Sequence, residues 1–271
     1  SFPGAYRVAT LDMRGDAWRS FDFSGFDSVF HVAGIAHTST RKLDVRQKAA
    51  YWAVNALLPV EVARKARDAG AGQFIFLSSM SVYGEQGSIR HPVTLTPGSV
   101  PGPRDLYGQS KLAAEEGLQA LATGGFRVAI LRPPMVYGPG CKGNYPALAR
   151  LARRAPLFPD SGNRRSMLFV GNLCAHVRHL VDLGAGGLFL PRDKEPVNTA
   201  ALAWEIARAH GKNLRLTRFF GPLLRLLSGR IGLVDKVLGT LVYEGDDGLS
   251  GGEPAGLVDF ETSIRMTEAA G

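Results

Sequence analysis

QFIFLSS (73–79), YGQSKLAAEEGLQALATGG (107–125) and FRVAILRP (126–133) decide the fold of this chain. The first and third are short apolar runs with the length of buried strands. The second is rich in Ala, Leu, Glu and Lys and stops at two glycines, a helix with its stop signal. Outward from these the pattern repeats. DSVFHVAG (28–34) reads as another buried strand that ends in small residues. YWAVNALLPVEVARKARDAG (51–70) has apolar residues at helical spacing, late basic residues and Gly70 at its end. MLFV (167–170) and GLFLP (187–191) are weaker strands. Buried strands separated by helices predict an α/β fold, a doubly wound parallel sheet with helices on both faces. The segment 85–105, rich in Gly and Pro, predicts a long loop, and 138–165 a linker into a separate lobe. Ligands of such sheets bind at the carboxyl ends of the strands. Those ends are Ala33-Gly34, Ser78-Ser79 and Pro133-Pro134.

The chain has 271 residues, 45% of them hydrophobic and 21% charged, which excludes a mainly disordered chain. That length predicts one large domain, or one domain with a lobe. The formal net charge is +8. Arginines are spread along the chain, with a cluster at Arg150, Arg153 and Arg154 and with Arg164 and Arg165 nearby. Such a balance fits nucleic acid, anionic lipid or a phosphorylated small molecule. Neither zinc-finger spacing nor an RNA-binding aromatic motif accompanies it, so nucleic acid is not expected. Two cysteines, Cys141 and Cys174, are too few for a disulfide scaffold. No apolar run is long enough for a membrane span and no leader opens the sequence, so a cytoplasmic location is expected.

Tyr107 and Lys111 lie four apart in a predicted helix and share a face. A free phenol, with a pKa of about 10, is a poor base at neutral pH. An ammonium about 5 Å away would favour the phenolate by roughly 3 kcal/mol, which predicts a lowered pKa for Tyr107 and a general acid/base role. A serine from the neighbouring strand end can hold a substrate oxygen. The pair alone is also compatible with an ordinary exposed tyrosine and lysine.

FIFLSSMSVYGE (74–85), YGQSK (107–111) and LRPPMVYGPG (131–140), with FHVAGIAH (30–37) and VNALLPVEVARKARDAGAGQFIF (54–76), resemble in order and spacing the extended short-chain dehydrogenases, the NAD-dependent epimerase/dehydratase group acting on sugar nucleotides. The resemblance implies a Rossmann-like sheet over 1–136 as the dinucleotide-binding domain. It also implies a smaller C-terminal substrate lobe from 137–165 and 192–271, with 166–191 returning to the first domain. Tyr107 then looks like the catalytic tyrosine, Lys111 its partner on the nicotinamide ribose, and Ser79 the catalytic hydroxyl. Asp12 and Met13 look like the adenine contact. Ala33, Gly34, Asn55 and Pro134 look like the rest of the NAD or NADP path. Ser81, Asn144 and Arg165 look like substrate contacts, the last two holding a UDP-sugar and its diphosphate. The implied activity is a UDP-hexose 4-epimerase in surface-polysaccharide synthesis. A 4-keto-6-deoxy-sugar reductase and a non-catalytic nucleotide-binding scaffold are the rivals.

Departures from the family pattern sharpen these expectations. No G-x-x-G-x-x-G turn precedes YRVATLD (6–12), which reads as the third strand of that fold. Two strands, the first helix and the cradle for the cofactor pyrophosphate are therefore expected to be missing from the chain, and NAD cannot be told from NADP. Met80 and Ser81 stand where dehydratases carry an acidic pair, so dehydration is not expected. Met135 replaces the usual Asn before V-Y-G. His37 is a loop histidine with no assigned role, and Cys141 reads as a plain thiol. His176 and His179 lack a third ligand, so no metal is expected. The stretch 219–242 reads as packed helices of the lobe, and membrane contact is not expected. A homodimer stays open.

Overall fold

The computed structural model describes residues 6–36, 43–249 and 252–269. Its main sheet has four parallel strands, β1 (Ser28–His31), β2 (Gln73–Leu77), β4 (Arg127–Leu131) and β8 (Gly187–Phe189), in the order β1-β2-β4-β8. Between β1 and β2 runs one continuous helical rod, made of α1 (Val45–Trp52), a π turn (Ala53–Leu57) and α2 (Leu58–Asp68). Pro59 has no N–H to bond the Asn55 carbonyl, and the Leu58 N–H reaches back five residues to Ala53 instead. Helix α3 (Leu106–Gln119) joins β2 to β4 and α5 (Val170–Leu183) precedes β8.

β2 and β4 are apolar at nearly every position because both faces are covered. Phe74, Phe76, Val128 and Ile130 pack with Val62, Ala63 and Ala66 of α2 and Ala114 and Leu118 of α3. Ile75, Ala129 and Leu131 point the other way, onto Leu173, Val177 and Leu180 of α5. This is the Rossmann-like α/β arrangement, and it directs the carboxyl ends of β1, β2 and β4 to one edge.

A second core gathers Tyr137, Tyr145, Phe158, Phe169, Ile206, Leu238 and Ile264. Its elements are β5 (Met135–Tyr137), α4 (Asn144–Arg154), β6 (Leu157–Pro159), β7 (Met167–Phe169), α6 (Thr199–Ala209), β9 (Arg215–Thr217), α7 (Gly221–Leu227), α8 (Gly232–Leu238) and α9 (Phe260–Ala269). β5 pairs with β7 and β6 with β9, both parallel.

Two expectations about local structure are corrected. YRVATLD forms no strand and pairs with no strand among the described residues; the Tyr6 hydroxyl bonds Asp182 of α5. The 85–105 segment is not loop throughout. Val93–Leu95 forms β3, which pairs in parallel with β10 (Leu241–Tyr243), Leu95 opposite Tyr243. The late segment of the chain is thereby tied to the loop that leads into α3.

Candidate active site

Tyr107 is the second residue of α3. Asp105 caps that helix, its carboxylate accepting the Gly108 N–H at 2.8 Å. A Cβ on Gly108 would lie 2.5 Å from the Ser81 carbonyl oxygen. The helix start therefore packs backbone to backbone against the short 3-10 turn Met80–Tyr83 that follows β2. Ser79 caps this turn, accepting the Ser81 N–H at 3.1 Å, and its hydroxyl donates to that of Ser81 at 3.1 Å. Burial raises the Tyr107 pKa, the Ser79 hydroxyl opposes the rise and Asp105 adds to it. The structure thus brings Tyr107, Ser79 and Ser81 together.

Lys111 corrects the expected electrostatics. Its side chain is buried, 3% exposed, and its ammonium donates to the Leu77 carbonyl at 2.8 Å and lies 4.5 Å above the Phe76 ring. It reaches across to the end of β2 rather than onto the phenol, so the expected lowering of Tyr107 is absent. Burial brings Lys111 itself down to about 8, against the pull of Glu115.

The ammonium faces the end of β1. A Cβ on Gly34 would sit 3.5 Å from the Lys111 Nζ and 3.2 Å from the Asn55 Oδ1. Asn55, fully buried in the π turn, grips the Ile35 backbone from both sides: its Oδ1 accepts the N–H at 2.7 Å and its Nδ2 donates to the carbonyl at 2.9 Å. The half-buried Ala33 and the exposed Gly34 stand just before that clamp, and the buried Pro134 closes the end of β4.

Beneath this floor lies a polar network that the sequence reading missed. Glu115, one turn beyond Lys111, accepts from the Arg132 Nη2 at 2.6 Å and from Nε at 3.1 Å, and also from the Ser78 hydroxyl. Arg132 donates onward to the Tyr83 hydroxyl at 2.9 Å, and the Tyr243 hydroxyl donates to the Arg132 carbonyl at 2.9 Å. The i, i+4, i+8 stripe Tyr107, Lys111, Glu115 could have revealed Glu115. Nothing local could have revealed Tyr243. His31, at the end of β1, was missed as well. It is buried and stacked on Phe74, and its Nε2 has no partner among the described residues. Burial, then Lys111, lowers its pKa to about 4, so it is neutral.

The remaining predicted positions lie apart from this cluster, with no hydrogen bond to it among the described residues. Asp12 is exposed and ion-paired with Arg14 at 2.6 Å, whose side-chain hydrogen bond holds its carboxyl at about 2. Met13 is half-buried against the α2–α3 core. Asn144 is exposed at the start of α4. Arg165 is half-buried; it donates to the Gly239 carbonyl at 3.1 Å, meets no carboxylate among the described residues, and has its pKa lowered by burial. Cys141 packs against the lobe core. His37 lies outside the described residues. Among the described residues no helix is long and apolar enough to cross a membrane.

Residues 5–187 match the family model described as the NAD dependent epimerase/dehydratase family. The UDP-glucose 4-epimerase of Vibrio cholerae is 34% identical over 222 residues, covering 79% of this chain and 67% of that protein. The GDP-6-deoxy-D-mannose reductase of Pseudomonas aeruginosa is 32% identical over 173 residues, 63% of this chain and 53% of that one. The chain therefore spans about two thirds of the first relative and about half of the second. A UDP-glucuronic acid 4-epimerase from Bacillus cereus, solved in complex with NAD, superposes with a TM-score of 0.67 over 93% of this chain and 78% of that one, at 16% identity.

Proposed function

Because the chain belongs to the NAD-dependent epimerase/dehydratase family, we propose that it performs the sugar chemistry of a UDP-hexose 4-epimerase, with UDP-glucose or UDP-N-acetylglucosamine as substrate. The observations that carry this reading are the Ser79 hydroxyl against the Tyr107 phenol and, one helical turn on, the Lys111 ammonium facing the bare backbone of Gly34.

The residues fit the nicotinamide end of NAD(P). Gly34 is exposed, and the space its side chain would fill lies between the Asn55 amide and the Lys111 ammonium. Lys111 would hold the ribose hydroxyls there, with Ala33, Asn55 and Pro134 shaping the path and Asp12 and Met13 at the adenine end. Bound NAD(P) supplies the acceptor and donor of hydride. Tyr107 takes the proton of the sugar 4-hydroxyl and later returns one to the oxygen. The Ser79 hydroxyl favours the phenolate form that the first step needs and orients that oxygen, with Ser81 behind it. Asn144 and Arg165 hold the nucleotide diphosphate. A half-buried guanidinium with no carboxylate partner among the described residues suits a diphosphate.

A 4-keto-sugar reductase is the second reading. Burial keeps Tyr107 protonated, which is the form that delivers a proton to a carbonyl oxygen. Tyr107→Phe tests both. Interconversion of UDP-glucose and UDP-galactose, or NADPH-driven reduction of a UDP-4-keto sugar, should fall at least about 100-fold while substrate binding is kept. Near-normal turnover refutes the assignment.

A further inference from the structure

We propose that the face built by β9, α7 and the start of α8 is a docking surface for an anionic phospholipid membrane. In the sequence this stretch reads as packed helices of the lobe; the structure buries only part of it. Leu224 packs on the lobe core and Ser228 is buried, but α7 also carries Leu223 and Leu226, each about half exposed, and Phe219 in the turn just before it is 83% exposed. Leu223 and Leu226 are three apart and so share one face of α7. Phe220 stands beside Phe219 with its ring edge-on at 5.5 Å, and Leu216 of β9 and Ile231 before α8 are exposed as well. No residue of α7 is fully buried. Exposed large apolar side chains gathered in one short segment of a folded surface mark an interaction site.

The charge around the patch selects the occupant. Between Glu205 and Asp235 the sequence contains six lysines and arginines and not one aspartate or glutamate. Arg208 is paired with Glu205 and Glu261, and Arg218 with Asp160. Lys212, Arg215, Arg225 and Arg230 are exposed and ion-paired with no carboxylate among the described residues. Arg90 adds a further cation, its Nε donating to the Arg225 carbonyl at 2.6 Å. Exposed aromatic and leucine side chains in the same stretch as four exposed cations match the headgroup and acyl boundary of an anionic bilayer, where apolar burial and attraction to the headgroups act together. A second copy of the chain fits poorly. A twofold contact would set this face against itself, with Lys212, Arg215, Arg225 and Arg230 meeting their own copies and no acidic residue between Glu205 and Asp235 to pair them.

The test is sedimentation of the chain with vesicles of phosphatidylcholine alone and of phosphatidylcholine with about 40% phosphatidylglycerol, at low and physiological salt. Binding is expected to the anionic vesicles only and to weaken with salt. It should fall at least about 10-fold in Phe219→Ser/Leu223→Ser and also in Arg225→Glu/Arg230→Glu. Circular dichroism would check that both variants keep the fold. Phe219→Trp supplies a second readout: the emission of the introduced indole should shift to the blue on anionic vesicles and be quenched by brominated acyl chains. The proposal fails if anionic vesicles do not bind the chain, or if they bind both double variants as well as the parent. It also fails if the indole stays unquenched, or if the apolar variant instead abolishes a concentration-dependent dimer.

Discussion

Glu115 and Arg132 form a buried ion pair whose side chains are 1% and 6% exposed. The carboxylate takes two geometrically fixed bonds from the guanidinium and one from Ser78, and Arg132 spends its remaining reach on Tyr83. Burial works against the Arg132 charge, yet the bond to Glu115, the Glu115 charge and the Tyr83 hydroxyl together outweigh it and hold the group above its ordinary pKa. In Glu115→Gln the guanidinium stays buried with only a neutral amide and a phenol to face. Leaving one buried charge without its partner costs about 3–5 kcal/mol. At about 1.4 kcal/mol per decade, that is a factor of hundreds to thousands in the folding equilibrium, out of a total stability of about 5–15 kcal/mol. Arg132→Met leaves the carboxylate in the same position and should cost a similar amount. The double variant should cost no more than either single change, because the charges leave together. Urea denaturation followed by circular dichroism, with midpoints compared at equal slopes, gives the full double-mutant cycle. A single change that costs less than about 1 kcal/mol, or a double variant whose cost equals the sum of the two, would refute the coupled buried pair. Ser78 lies next to Ser79, so Glu115→Gln should also lower turnover under conditions where the variant remains folded.

Lys111→Met should stabilise the fold while abolishing activity. The folded pKa of Lys111 is about 8 against 10.5 for the free side chain, so the unfolded chain binds more protons between those values and stability rises with pH across that window. Removing the buried ammonium at pH 7 should therefore gain up to about 3 kcal/mol, at 1.36 kcal/mol per pKa unit, and flatten the pH dependence between 8 and 10. A less stable Lys111→Met with the slope intact would show that the Leu77 carbonyl bond outweighs desolvation. Gly108→Ala places a Cβ 2.5 Å from the Ser81 carbonyl and must part α3 from the Ser79–Ser81 turn. A stability loss of about 1–3 kcal/mol together with a fall in kcat is expected, and an unchanged melting curve would contradict that contact. Arg165→Ala should raise the KM for the UDP-sugar by roughly 10- to 150-fold, the loss of a charge-assisted pair of about 1.5–3 kcal/mol, with little change in kcat; calorimetry showing unchanged affinity would place the nucleotide elsewhere.

Much of this protein is local in origin and so legible in the sequence. Apolar runs such as QFIFLSS and FRVAILRP must be strands covered on both faces, since nothing else hides a strand with no polar side. Tyr107 and Lys111 share a helix face by spacing alone, and small residues at the strand ends mark where a ligand can approach backbone. Tertiary structure decided the rest. Which way the Lys111 ammonium points depends on the Leu77 carbonyl and the Phe76 ring, both on another element, and with the ammonium turned there burial raises the phenol instead of a charge lowering it. The β3–β10 ladder joins residues near 94 to residues near 242, and Tyr243 reaches Arg132 across more than a hundred residues of chain. The outward turn of Leu223 and Leu226 on α7 belongs to the same class. Their helical spacing is written in the sequence, but which side of a short helix meets the lobe is set by what Leu224 and Ser228 find to pack against. A pattern of side chains fixes an element's face, and only the assembled neighbours determine whether that face is buried, paired or left to meet something else.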